Sequence, residues 1–111
     1  LADAVDLMRE LKKIGCRFAL DDFGTGHATY NYLKHLPLDY VKIDGAFVKD
    51  IANNDNDLAM VRSMNDMAHY MGIQTVAEFV ESQEILDRLR EIGVDYAQGY
   101  GIERPRWLES L

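Results

Sequence analysis

The sequence predicts an α/β fold of parallel βα units, and two observations carry that expectation. A helical stripe, a glycine and a short apolar run recur in that order three times, with Gly15, Gly72 and Gly93 as the breaks. Each apolar run then meets a polar residue: Asp21 and Glu78 six residues past their glycines, and Gln98 five past its own. Strands that alternate with helices form a parallel sheet, because each crossover helix returns the chain to the end of the sheet where the last strand began.

The elements follow in order. Leu1, Val5, Met8, Leu11 and Ile14 fall at helical spacing, and Gly15 follows as a C-cap. Residues 16–20 then read as a buried strand ending at Asp21, with Cys16 expected in the core as a small apolar residue. Asp21 and Asp22 stand side by side, and Gly24 and Gly26 permit a tight turn after them. Pro37 breaks the next helix, and residues 39–44 supply a further strand. Residues 49–60 are polar and turn-rich, with Asp55 or Asn56 expected to cap the long helix that follows. This stretch lacks the central glycine and terminal glutamate of a calcium loop. Leu58, Val61, Met64, Ala68 and Met71 form the long helix's stripe, and Met60, Met64, Met67 and Met71 read as core. Residues 73–77 run as a strand into Glu78. Ile85, Leu86, Leu89 and Ile92 mark the last helix, and residues 94–97 run into Gln98. Four strands pointing the same way are expected.

Composition narrows the function classes. The chain has 111 residues, 48% hydrophobic and 28% charged, enough for one small domain with a core. Twelve Lys and Arg against 19 Asp and Glu give a net charge of −7, which argues against a DNA or RNA duplex as partner. A phosphate ligand remains compatible where divalent cations mediate the contact. One cysteine allows no internal disulfide, so a reducing, cytoplasmic setting is expected. No run approaches the roughly 18 apolar residues that span a bilayer. His27, His35 and His69 share no metal-ligand spacing, and no Ser-His-Asp or Cys-His arrangement is visible. The chain starts at Leu1 within a helical pattern, so it is expected to be a piece of something longer.

Parallel strands bring Asp21, Asp22, Lys42, Asp44, Glu78 and Gln98 to one rim, the place where α/β folds bind ligands. Singly, each acid could be a helix cap or a loop residue; the set favours a site. Adjacent carboxylates hold hard cations such as Mg²⁺ or Mn²⁺. Lys42 can offset their charge and orient a water or a departing oxygen, and Glu78 adds a third anionic ligand or a general base. Gln98 suits neutral hydrogen bonding. Metal-assisted phosphodiester hydrolysis is the reaction these groups support best.

The stretches ALDDFGTG, VKID, TVAEFVE and QGY followed by RP resemble the C-terminal half of the EAL domain family, the cyclic di-GMP phosphodiesterases. The resemblance covers essentially the whole chain, so residues 1–111 are expected to be one partial domain of four βα units with no second domain. It implies half of a TIM-like (β/α)8 barrel and hydrolysis of cyclic di-GMP to pGpG with Mg²⁺ or Mn²⁺. It further implies Asp21 as a metal-bridging ligand, Asp22 on the second metal, Lys42 beside the attacking water and Glu78 as ligand and catalytic carboxylate. Gln98 and Gly99 would contact substrate. Asp44, Glu81 and Thr25 would support them, Thr25 opening a loop used in dimer contact and activation.

The chain also departs from that pattern. Phe79 stands where the family usually has glycine, His27-Ala28-Thr29 replaces Tyr-Ser-Ser, and Gly45-Ala46 and Gly101-Ile102-Glu103 deviate. The family's first half, with its Glu-Ala-Leu signature, is not in the sequence. The chain alone is therefore expected to be inactive, and to pair as a homodimer or with the other half-domain. A non-catalytic EAL module, acting as a cyclic di-GMP sensor or scaffold, is the second reading, with Phe79 as its support. A phosphoacceptor receiver domain fails on topology, because a helix precedes Asp21 and Lys42 lies on the next strand.

Overall fold

The computed structural model describes residues 2–23, 30–99 and 102–107. The elements run α1 (Ala2–Lys13), β1 (Ala19–Phe23), α2 (Tyr30–His35), β2 (Tyr40–Ile43), α3 (Gly45–Val48), α4 (Asp55–Tyr70), β3 (Gln74–Val80), α5 (Gln83–Ile92), β4 (Tyr96–Gly99) and β5 (Ile102–Trp107). Their strands form one sheet in the order β1-β2-β3-β4-β5. The first four are mutually parallel, as the helix–strand alternation predicts.

The expectation of four strands all pointing one way is corrected by β5, which pairs antiparallel with β4. Only residues 100 and 101 separate the two, and a parallel return would need a crossover of a dozen or more residues. As an edge strand, β5 also tolerates Pro105, whose missing N–H would break a central ladder.

Helix ends follow local chemistry. Ser82 caps α5 by accepting from the Ile85 N–H at 3.2 Å, and Gly93 ends it in the left-handed conformation, φ 94°. The Gly93 and Val94 amides then both close back onto the Leu89 carbonyl. The expected caps of the long helix, Asp55 or Asn56, are displaced by Asn54, whose side chain accepts from the Asp57 N–H at 3.1 Å. Asp55 and Asp57 instead occupy the first turn, where the helix dipole favours negative charge.

The core lies between the sheet and helices α3, α4 and α5. Val41, Ile43, Val48, Ile51, Val61, Ala68, Ala77, Leu89 and Ala97 are essentially sealed from solvent. Two apolar expectations fail. Cys16 is exposed, because it lies in the turn after α1 and before β1, where its N–H bonds the Leu11 carbonyl. Met60 and Met67 are exposed at 46% and 40% while Met64 is buried, because the core-facing stripe of α4 runs through Val61, Met64 and Ala68. Two polar clamps fix the start of the strands. Asp39 accepts from Lys12 Nζ at 2.7 Å and the Phe18 N–H at 2.8 Å, tying α1 and β1 to β2. Buried Asn65 accepts from Thr75 Oγ1 at 2.6 Å and donates to the Ile92 carbonyl at 3.2 Å, and Asp95 accepts from the Thr75 N–H and meets His69 Nε2 at 2.6 Å. Among the described residues no helix is long and apolar enough to cross a membrane.

Candidate active site

Each strand of the parallel set has two faces, and the period of two sorts the side chains. Val41, Ile43, Thr75, Ala77 and Ala97 face the helices and are buried. Tyr40, Lys42, Gln74, Val76, Tyr96 and Gln98 alternate with them on the other, open face. There Ala19, Tyr40, Lys42, Val76 and Tyr96 line a cavity of about 200 Å³.

The floor of this face was not anticipated from the sequence. Arg17 Nη1 donates to the Tyr40 hydroxyl at 2.9 Å. The Tyr40 and Tyr96 rings meet edge-on, with centroids 5.7 Å apart and planes at 77°. The Tyr96 hydroxyl in turn donates to Gln74 Oε1 at 3.4 Å. Burial, with Tyr40 adding to it, pushes the Tyr96 phenol above its usual value, which favours its neutral form. The hydrogen bond to Tyr40 raises the Arg17 guanidinium above its usual value, which keeps it charged. The signal was present in the sequence, since Tyr40 and Tyr96 each precede a site residue, Lys42 and Gln98, by one full strand period.

Above that floor stand the residues singled out from sequence. Lys42 lies on β2, between the strand of Asp21 and the strand of Glu78. Its Nζ is 3.9 Å from Asp21 Oδ1, with the lysine side chain 29% exposed and the aspartate 67%. Asp21 thus has Lys42 as an ion-pair partner. Glu78 is half-buried on β3, Gln98 is half-buried on β4, and Glu81 is exposed beyond the strand. Asp44 spends one carboxylate oxygen on the Ala46 N–H at 3.0 Å, capping α3 at the end of β2. Asp22 lies within β1, and Thr25 lies outside the described residues, as do Gly24, Gly26 and His27.

The strands continue past the acids rather than stopping at them, and the register explains why. Partners run Leu20 to Val41 and then Phe23 to Ile43, so β1 takes three steps where β2 takes two. The extra residue falls at Asp21-Asp22. In β3 the same happens between Ala77, opposite Ala97, and Val80, opposite Gly99. There the extra residue falls at Glu78-Phe79. Bulges of this kind re-aim side chains and gather near active sites. Phe79 has φ 57°, the only non-glycine in the left-handed region among the described residues, a conformation that costs a bulky side chain about 1–2 kcal/mol. Gly99 is required by close approach: a Cβ there would lie 2.3 Å from the Val80 nitrogen.

Carboxylate oxygens are the donors a hard divalent cation prefers, so the residue types fit Mg²⁺ or Mn²⁺. Among the described residues, however, no three His, Cys, Asp or Glu side chains lie close enough to share one ion. The side chain of Asp22 lies outside those described, and the others do not by themselves complete a cation shell.

Parallel βα units with acids, a lysine and an amide at the carboxyl ends of successive strands define an α/β rim site. The EAL domain family profile matches residues 1–105, and the chain belongs to that family. It is 59% identical over 106 residues to the cyclic di-GMP phosphodiesterase PdeB of Shewanella oneidensis, a match spanning 96% of this chain and 12% of PdeB. The crystal structure of an EAL domain protein from Listeria monocytogenes superposes with a TM-score of 0.85 at 36% identity, covering 99% of this chain and 44% of that one. The EAL domain of FimX from Pseudomonas aeruginosa, bound to c-di-GMP, gives a TM-score of 0.81 at 32% identity over 92% of this chain and 42% of its own. The fold is therefore that of EAL domains, a TIM-like barrel, of which these βα units are a part.

Proposed function

We propose that this chain is part of a metal-dependent phosphodiesterase that hydrolyses cyclic di-GMP to pGpG. The observation that carries the reading is Lys42, held on the strand between those of Asp21 and Glu78 with its ammonium 3.9 Å from Asp21. A 59%-identical relative that bears the name cyclic di-GMP phosphodiesterase supports the substrate.

In this reading Asp21, Asp22 and Glu78 would hold Mg²⁺ or Mn²⁺, which would supply Lewis-acid activation of the attacking water and offset charge on the phosphate. Water oxygen bonds to phosphorus, the bond to the ribose 3′ oxygen breaks, and a proton passes to that leaving oxygen. Lys42 orients the attacking water or meets the developing negative charge, and its partner Asp21 keeps the ammonium at the rim. Gln98 and Gly99 present hydrogen-bonding groups to the guanine nucleotide, while Asp44, Glu81 and Thr25 have supporting roles. The open sheet face, with its half-buried tyrosines, is covered by pairing with the rest of the barrel or with a second copy. The protein works in the cytoplasm.

The test is incubation of cyclic di-GMP with the protein that carries this chain, with and without Mg²⁺ or Mn²⁺, and chromatographic assay for pGpG. Metal-dependent pGpG supports the reading. Tight binding without turnover would instead make the protein a sensor.

A further inference from the structure

We propose that Phe79 is a positioning residue for Glu78, with its ring seated in the space that Gly45 leaves empty. The inference rests on the phosphodiesterase reading for Glu78's role, but the geometry stands on its own. Ala77 and Val80 are both buried on the helix side of β3, 0% and 2% exposed. Regular alternation cannot place residues three apart on one face. The extra residue between them resolves the conflict, leaving Glu78 half-buried at the rim while Val80 returns to the core.

That bulge needs a residue at φ 57°, where a phenylalanine is strained and a glycine is not. Burial does not account for the choice, since Phe79 is 58% exposed. Its ring instead occupies the place of a side chain at position 45. A Cβ on Gly45 would lie 1.7 Å from Phe79 Cδ2, 2.5 Å from Cγ and 2.7 Å from Cε2. Gly45 is buried and opens α3 directly after Asp44, so the ring braces the rim of β3 against the rim of β2, which carries Lys42. Read from sequence, Phe79 and Gly45 are two separate departures from the family pattern. In three dimensions they are one complementary pair, in which the missing side chain at 45 makes room for the added one at 79.

The experiment is a double-mutant cycle in the protein that carries this chain, read by kinetics and by a crystal structure of Phe79→Gly. Phe79→Gly and Gly45→Ala should each lower kcat by about tenfold or more, the order expected when a catalytic group is displaced by a fraction of an ångström, with KM within about twofold. Gly45→Ala should cost nothing further once the ring is absent, and Phe79→Tyr, which keeps the ring, should retain kcat. The crystal structure should show the bulge between residues 77 and 80 altered and Glu78 redirected. Equal losses from Gly45→Ala in both backgrounds would overturn the pairing. A rise in KM at constant kcat would make Phe79 a substrate contact instead, and a lower Tm with unchanged kcat would make it structural only. If the wild type has no turnover, the phosphodiesterase reading fails by itself. The crystal structure then still decides the positioning claim, which an unmoved Glu78 overturns.

Discussion

Gly99→Ala probes a glycine packed directly against the backbone of the neighbouring strand. The added methyl would lie 2.3 Å from the Val80 nitrogen, 2.4 Å from its oxygen and 2.9 Å from its carbonyl carbon. Carbon contacts settle near 3.5–4.0 Å, so β4 must retreat from β3 by about 1 Å at this rung. Nothing flexible can yield, because all three atoms are backbone. Overpacking of this kind costs about 1–3 kcal/mol, and a weakened ladder hydrogen bond adds about 1 kcal/mol, giving a loss of about 2–4 kcal/mol. The same retreat moves Gln98 relative to Glu78 and should lower kcat by about 10²-fold. Gly72→Ala is the control: a methyl there meets nothing within 4 Å, and only its φ of 76° is strained. It should cost about 1 kcal/mol and leave kcat unchanged. Urea unfolding of the intact domain gives the stabilities, and pGpG formation gives the rates. Gly99→Ala within about 0.5 kcal/mol of wild type would refute the close approach of β3 and β4.

Other perturbations test separate parts of the account. Lys42→Ala should lower kcat by about 10²–10⁴-fold while changing stability by less than about 1 kcal/mol, since its partner Asp21 is largely exposed; a matching fall in Tm would point to a structural role. Thr75→Val removes the hydroxyl that donates to buried Asn65, and thermal unfolding should report a loss of about 1–3 kcal/mol. Burial alone would raise Asp39, but the Lys12 ammonium and the Phe18 N–H outweigh it and hold its carboxyl below the usual value of about 3.9. A depressed folded pKa gives stability that is present above pH ~4 and lost as pH falls through the lowered value, so acid should destabilise wild type more steeply than Asp39→Asn. Parallel acid-denaturation curves for the two would remove Asp39 from that role.

The sequence declared the architecture where its signal was periodic. The helix–glycine–strand repeat located α1, α4, α5 and the three strands that follow them, because apolar spacing and left-handed glycines act locally. The rim residues were legible for the same reason, since strand ends in a parallel sheet coincide whatever the loops do. What stayed hidden depended on contacts across the sheet. The bulges at Asp21-Asp22 and Glu78-Phe79 appear only when one strand's steps are set against its neighbour's. Cys16 looked apolar and so internal, but its backbone turns before β1 begins. The antiparallel β5 was passed over because its two-residue connection leaves no helix to announce it. Phe79 and Gly45 are far apart in sequence, so their complementarity is invisible until the ring is seen over the glycine.

The most direct measurement of the central claim is the metal dependence of pGpG formation by the chelator-stripped protein that carries this chain, wild type beside Asp21→Asn and Glu78→Gln. The account predicts no turnover until Mg²⁺ or Mn²⁺ is restored, and a loss of at least about 10²-fold in each variant with folding intact. Cyclic di-GMP hydrolysis that survives metal removal, or that both variants sustain at the wild-type rate, would contradict it.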